Sequence, residues 1–102
     1  METSGWMDKK RFTAGQMKLQ EIITSLGMET ILEYQVGCYI IDIYLPEVNK
    51  GVEFDGPKHA KKRDKKRDIW VKENFDIDIF RVTDVRRLDL KDELIEFICK
   101  EI

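Results

Sequence analysis

"YIIDIYLPEVNKGVEFDGPKH", residues 39–59, sets the fold through its alternation. An extended segment from about Cys38 to Leu45 is rich in β-branched and aromatic residues, and Pro46 stops it. "EVNKG" is a turn-rich link into a second strand, "GVEFD". A link this short joins antiparallel neighbours. Strict alternation places Ile41, Ile43 and Leu45 on one face and Ile40, Asp42 and Tyr44 on the other. In the next strand Val52 and Phe54 face one way, Glu53 and Asp55 the other. If the apolar sets face the core, Asp42, Glu53 and Asp55 form a carboxylate group on adjacent strands.

Upstream, "ILEYQVGCYIIDIYLP" reads as a short extended stretch leading into that strand. A helix precedes it. Thr13 is its N-cap with Gln16 at the third helical position, Leu19, Ile22, Ile23 and Leu26 follow at helical spacing, and Gly27 ends it. Residues 1–12 lack periodicity and read as an N-terminal extension to a single domain spanning 13–102. Downstream, a charged helix is expected from about Ala60 to Asn74, with Ile69, Trp70 and Val71 as its buried contacts. "FDIDIFRVT" is a third strand, Ile77 and Ile79 on one side and Asp78, Phe80 and Val82 on the other. Leu90, Leu94, Ile95, Ile98 and Ile102 mark a final helix. The order α-β-β-α-β-α predicts an α+β domain, a small mixed sheet flanked by helices.

Composition narrows the classes. No apolar run reaches the ~18 residues of a membrane helix, and the polar start reads as no signal peptide. Cys38 and Cys99 lie in apolar contexts without metal-ligand spacing, so buried, reduced thiols and a cytoplasmic setting are expected. The formal net charge is −2, against the trend for nucleic-acid binders. The cations are nonetheless concentrated: Lys58, Lys61, Lys62, Arg63, Lys65, Lys66 and Arg67 form a local stripe that could draw a polyanion or simply be a solvated helix face.

The oxygen donors of Asp42, Glu53 and Asp55 suit a hard cation. Magnesium fits best, since it takes one or two carboxylates and completes its shell with water and phosphate oxygens. Gly56 and Pro57 turn the chain, so that His59 can return beside the carboxylates as a proton carrier or water-orienting group. The basic run beyond would hold a phosphate backbone. Each piece has a plain alternative: a strand carboxylate facing solvent, a structural histidine, helix-surface ion pairs among Asp64, Arg67 and Asp68. Together they point to phosphodiester chemistry.

"YIIDIYLPEVNKGVEFDGPKH", followed by Asp64, Arg67 and "IFRVTDVRR", resembles the core of the very-short-patch-repair-like endonucleases of the PD-(D/E)xK nuclease superfamily, and within it the EDxHD homing endonucleases. The resemblance covers about residues 13 to 88. It implies a restriction-endonuclease-like core, a Mg²⁺-dependent DNA endonuclease activity with Mn²⁺ as substitute, and double-stranded DNA as partner, in a bacterial or phage-infected cell. By the same resemblance Asp42 is the central metal-binding aspartate and Asp55 stands where the repair enzymes carry an active-site histidine. His59 matches their second histidine, Glu53 the acid of the acid-x-Lys element, and Asp64 with Arg67 the helix motif.

Two positions depart from the pattern. The superfamily lysine is Asp55 here, unless Lys58 substitutes, and the glutamate expected early in the first helix is Gln16 or Glu21. At 100° per residue Gln16 lies about 70° from the centre of the apolar stripe and Glu21 about 150°. Gln16 therefore borders the sheet, as helix cap or active-site group. The sequence reading is thus a nuclease catalytic domain with Mg²⁺ held by Asp42 and Asp55 and Glu53 assisting, its specificity module elsewhere, acting as a homodimer if both strands are cut. The competing readings are a catalytically inactive nucleic-acid-binding module of the same fold, and a structural or protein-interaction domain.

Overall fold

The computed structural model describes residues 13–55 and 61–100, and of residues 61–64 the backbone alone. The first helix, α1 (Ala14–Ser25), starts as the sequence predicts: the Gln16 amide donates to Thr13 Oγ1 at 3.1 Å. The other half of the expected box is not made, because the Gln16 side chain turns to the sheet instead. Next come β1 (Ile31–Val36), β2 (Tyr39–Leu45) and β3 (Lys50–Phe54), then α2 (Lys61–Phe75), β4 (Asp78–Val82) and α3 (Leu90–Cys99). Among the described residues this is an α+β fold of three helices and a four-stranded mixed sheet, ordered β1-β2-β3-β4. The first three strands form an antiparallel meander, and α2 carries the chain over to β4, parallel to β3. No helix among the described residues is long and apolar enough to cross a membrane.

The sequence reading merges β1 with the run that becomes β2. Here they are separate strands joined by a tight turn at Gly37 and Cys38. Gly37 makes it possible: its φ is +61°, and an added Cβ would stand 2.7 Å from the Trp70 ring. The burial expected of the two cysteines is not found. Cys38 sits in this turn and Cys99 ends α3, so both are free and exposed, whatever their apolar neighbours in sequence.

Both faces of the sheet are covered. Leu19 and Ile23 of α1 and Leu90 and Leu94 of α3 pack with Ile43, Leu45, Val52 and Val82, all at most 1% exposed. The opposite face joins Val36, Ile41, Tyr44 and Ile77 to Val71 of α2. Each fully buried aliphatic side chain contributes about 1.5–3 kcal/mol, so the two layers together hold the helices in place. Three details depart from expectation. Ile69 and Ile95 are half exposed rather than core, leaving Val71 and Leu94 to anchor their helices. Ile41 belongs with Tyr44 on the α2 face, not with Ile43 and Leu45.

The last departure has a local cause. The pairing of β1 with β2 runs through Leu32–Ile43 and Tyr34–Ile41 but passes over Glu33 and Asp42. Glu33 has φ +54°, a left-handed backbone that a glutamate rarely adopts. Side-chain parity switches at that step in both strands. Asp42 is therefore the irregular residue of β2, and its backbone is free to make other bonds.

Candidate functional site

β3 and β4 end together, where the Asp55 amide donates to Val82 O at 2.8 Å. α2 begins at this end and runs back antiparallel, setting Arg67 beside Glu53, Asp68 beside Arg81 and Lys72 beside Asp78. α1 also reaches this end through Gln16. The carboxyl ends of parallel strands in α/β sheets are a recurrent place for ligands, because the connecting chain leaves a crevice there.

Asp42 and Glu53 are interlocked. The Asp42 amide donates to Glu53 Oε2 at 2.9 Å, and the Phe54 amide donates to Asp42 Oδ2 at 3.0 Å. The pairing that strict alternation foresees between these two strands is thus made by side chain to backbone. Burial pushes both carboxyls above their ordinary values. For Asp42 the amide of Phe54 and the charge of Arg67 oppose this, while Glu33 and Asp55 reinforce it. For Glu53 the charge of Asp42 adds to burial, and Arg67 opposes. The pair is under-compensated by its surroundings.

Asp55 is buried, and its Oδ1 accepts from Arg81 Nη1 at 2.8 Å. Arg81 also spans both oxygens of Asp68, at 2.9 and 2.7 Å. Burial works against its charge, yet Asp68, then Asp55 and Glu53, outweigh it and raise Arg81 above its ordinary value. Arg67 lies 3.0 Å from Glu53 Oε1 and packs over the Tyr39 ring. Arg67 and Asp68 therefore turn beneath α2 toward the sheet instead of forming the surface pairs that their spacing also allowed.

Gln16 is 3% exposed, its Nε2 donating to Asp42 O and to Glu33 Oε2, each at 3.2 Å. Glu21 lies on the solvent side of α1 beside Lys18. Of the two candidates for the first-helix position, Gln16 is the one at the site. Lys65 and Lys66 are exposed on α2. Lys58 and His59 lie outside the described residues, as do the side chains of Lys61, Lys62, Arg63 and Asp64.

Two residues escaped the sequence reading. Arg81 was detectable: it shares parity with Ile77 and Ile79, and a cation on a buried strand face requires acids opposite it. Glu33 carried no such signal, since its place depends on the left-handed backbone.

Among the described residues no three His, Cys, Asp or Glu side chains are grouped so as to enclose a metal ion. Asp42 and Glu53 nevertheless fit magnesium as a donor set: they are adjacent, all-oxygen and under-compensated, and this ion needs only one or two carboxylates. Asp55, which the sequence reading sets on the metal with Asp42, has Oδ1 on Arg81 at 2.8 Å, as Glu53 has Oε1 on Arg67 at 3.0 Å. No protein-family model matches the chain, and neither curated proteins nor solved structures include a significant match.

Proposed function

We propose that the chain is a restriction-endonuclease-like catalytic domain that hydrolyses phosphodiesters of double-stranded DNA with Mg²⁺, or Mn²⁺ in its place. The observation that carries this reading is the interlocked, under-compensated pair Asp42 and Glu53 beside the carboxyl ends of two parallel strands. A divalent cation would offset the buried negative charge there, and Asp42 with Glu53 would hold it. When bound, it would neutralise charge on the phosphodiester and lower the pKa of its water.

The chain's own groups have distinct tasks. Asp42 is kept in place by the Phe54 amide and by Gln16 on its carbonyl, so its carboxylate is oriented before any ligand arrives. Asp55, fixed by Arg81, adds negative charge at the strand end. Arg67 and the exposed Lys65 and Lys66 supply phosphate contacts on the α2 side, with Lys58, Lys61, Lys62 and Arg63 continuing that stripe in sequence. His59, four residues beyond Asp55, is assigned the proton transfer. Phosphate contacts position without specifying, so a DNA-specificity module of a homing endonuclease is placed elsewhere, and cutting of both strands would take a homodimer.

Cleavage of duplex DNA in Mg²⁺ or Mn²⁺ against EDTA tests this, with Asp42→Asn and His59→Ala beside the wild type. Metal-dependent cutting lost in Asp42→Asn is the expected result. Salt-sensitive binding with no cutting at any metal concentration would overturn catalysis and leave the second reading, a nucleic-acid-binding module. That reading is favoured by Gln16, a neutral amide where an acidic ligand is expected.

A further inference from the structure

Arg67 and Arg81 reach the same carboxylates but are held in different ways. Arg81 is locked: Nε and Nη2 span both Asp68 oxygens and Nη1 meets Asp55. Arg67 is held mainly by charge. Its Nη2 is 3.0 Å from Glu53 Oε1, yet this buried nitrogen has no aligned hydrogen-bond acceptor among the described residues. Its Nη1 reaches Ile40 O at 3.4 Å, and its Nε is 3.8 Å from Asp68. A guanidinium carries five donors, and directed pairing is what makes it costly to move. Arg67 has little of that pairing to lose.

The acceptor side is equally particular. Glu53 Oε2 already accepts the Asp42 amide, so Oε1 is the oxygen that Glu53 can offer to a further cation. Arg67 stands on that oxygen. Arg81 Nη1 stands further off, 3.9 Å from the same oxygen, so Arg67 is the nearer cation with which one from solution competes.

We infer that Arg67 is an exchangeable counter-ion: it covers Glu53 in the cation-free protein, yields Oε1 to a divalent cation, and then turns to a phosphate oxygen of the nucleic acid. The inference rests on the metal-dependent reading and adds to it a coupling between two ligands. Cation and DNA strengthen each other's binding through one side chain, and the coupling is reciprocal. Arg81 takes no part in the exchange, because its pairing with Asp68 is bidentate.

The test uses binding, not turnover. Mg²⁺ is titrated calorimetrically, and duplex DNA by fluorescence anisotropy in Ca²⁺ and in EDTA, for wild type, Arg67→Gln and Arg67→Lys. Circular dichroism and a cooperative melt check the fold, and Arg67→Lys keeps a charge beside Glu53 should Arg67→Gln fail to fold. Removing the competitor should tighten Mg²⁺ binding about three- to tenfold, the effect of one partly screened ion pair. DNA binding in Ca²⁺ should weaken about tenfold and its salt slope fall by about 1. Arg67→Lys should lie between, because an ammonium keeps charge but not the planar fork. In EDTA the variants should differ much less. Weaker or unchanged Mg²⁺ binding in Arg67→Gln and Arg67→Lys, with wild type binding the ion, overturns the exchange alone. A wild type that binds no divalent cation overturns both the exchange and the metal-dependent reading.

Discussion

Asp42 and Glu53 differ from a pair of surface acids because each is tied to backbone, one through the Phe54 amide and the other through the Asp42 amide. Neither can swing away from the other to relieve repulsion, so both rely on Arg67 and on whatever ligand arrives. Arg81 carries the comparable burden for Asp55 and Asp68. Arg81→Met would remove the cation that meets Asp55 at 2.8 Å and spans both oxygens of Asp68, and a buried carboxylate that loses such a partner is worse off than one never paired. With side chains that keep some solvent contact, the expected loss is about 2–3 kcal/mol, read from urea midpoints. Arg81→Lys should lose less, since an ammonium can serve only part of that geometry. A loss below ~0.5 kcal/mol in Arg81→Met, the range of an ordinary surface substitution, would show that these acids do not depend on it. Alternation pointed to Asp42, Glu53 and Asp55 in the sequence, but not to how they are tied. That depends on the unpaired step at Glu33 and Asp42, where the left-handed backbone of Glu33 accompanies a reversal of the parity that alternation assumes.

Helices were more legible than strands because their signals are local. Thr13 and Gln16 mark the start of α1 correctly, and the helical wheel put Gln16 rather than Glu21 against the sheet, as found. Thr13→Ala removes the oxygen that accepts the Gln16 amide. It should cost about 1 kcal/mol in thermal or urea unfolding, while Thr13→Ser and Thr13→Asp should be nearly neutral. The β1–β2 turn was illegible because residues 31–45 read as one extended stretch, with only Gly37 as a breaker inside it. What fixes strand packing is contact between elements far apart in sequence. Gly51 shows this: a Cβ there would lie 2.8 Å from both Ile41 Cγ2 and Ile79 Cδ1. Gly51→Ala should therefore cost about 1–3 kcal/mol through overpacking of the α2 face. An unchanged urea midpoint would mean that those two side-chain ends move aside freely.

At the scale of the whole molecule, the under-compensated pair makes stability depend on pH in a direction opposite to most carboxylates. Folding raises Asp42 above its ordinary 3.8 and Glu53 above its ordinary 4.5, chiefly by burial. The folded protein therefore binds these two protons more tightly than the unfolded chain. Their contribution is full below the ordinary values and is lost as pH rises through the raised ones. Other groups titrate in the same range, so the useful quantity is a difference between two proteins. Asn at position 42 can still accept the Phe54 amide but carries no charge. The stability advantage of Asp42→Asn over wild type should then grow as pH rises from about 4 and level off once both acids of the wild type are ionised. A gap that stays constant from pH 4 to pH 8 would mean that burial does not hold these protons. Repeating the series at pH 8 with Mg²⁺ connects stability to function. A ligand at 100 times its dissociation constant adds about 2.7 kcal/mol to the state that binds it. Wild type should gain stability of that order as Mg²⁺ is raised, and Asp42→Asn little or none. Equal gains in both would place any bound cation away from Asp42, and the charge of this pair would then be a structural cost with no ligand to offset it.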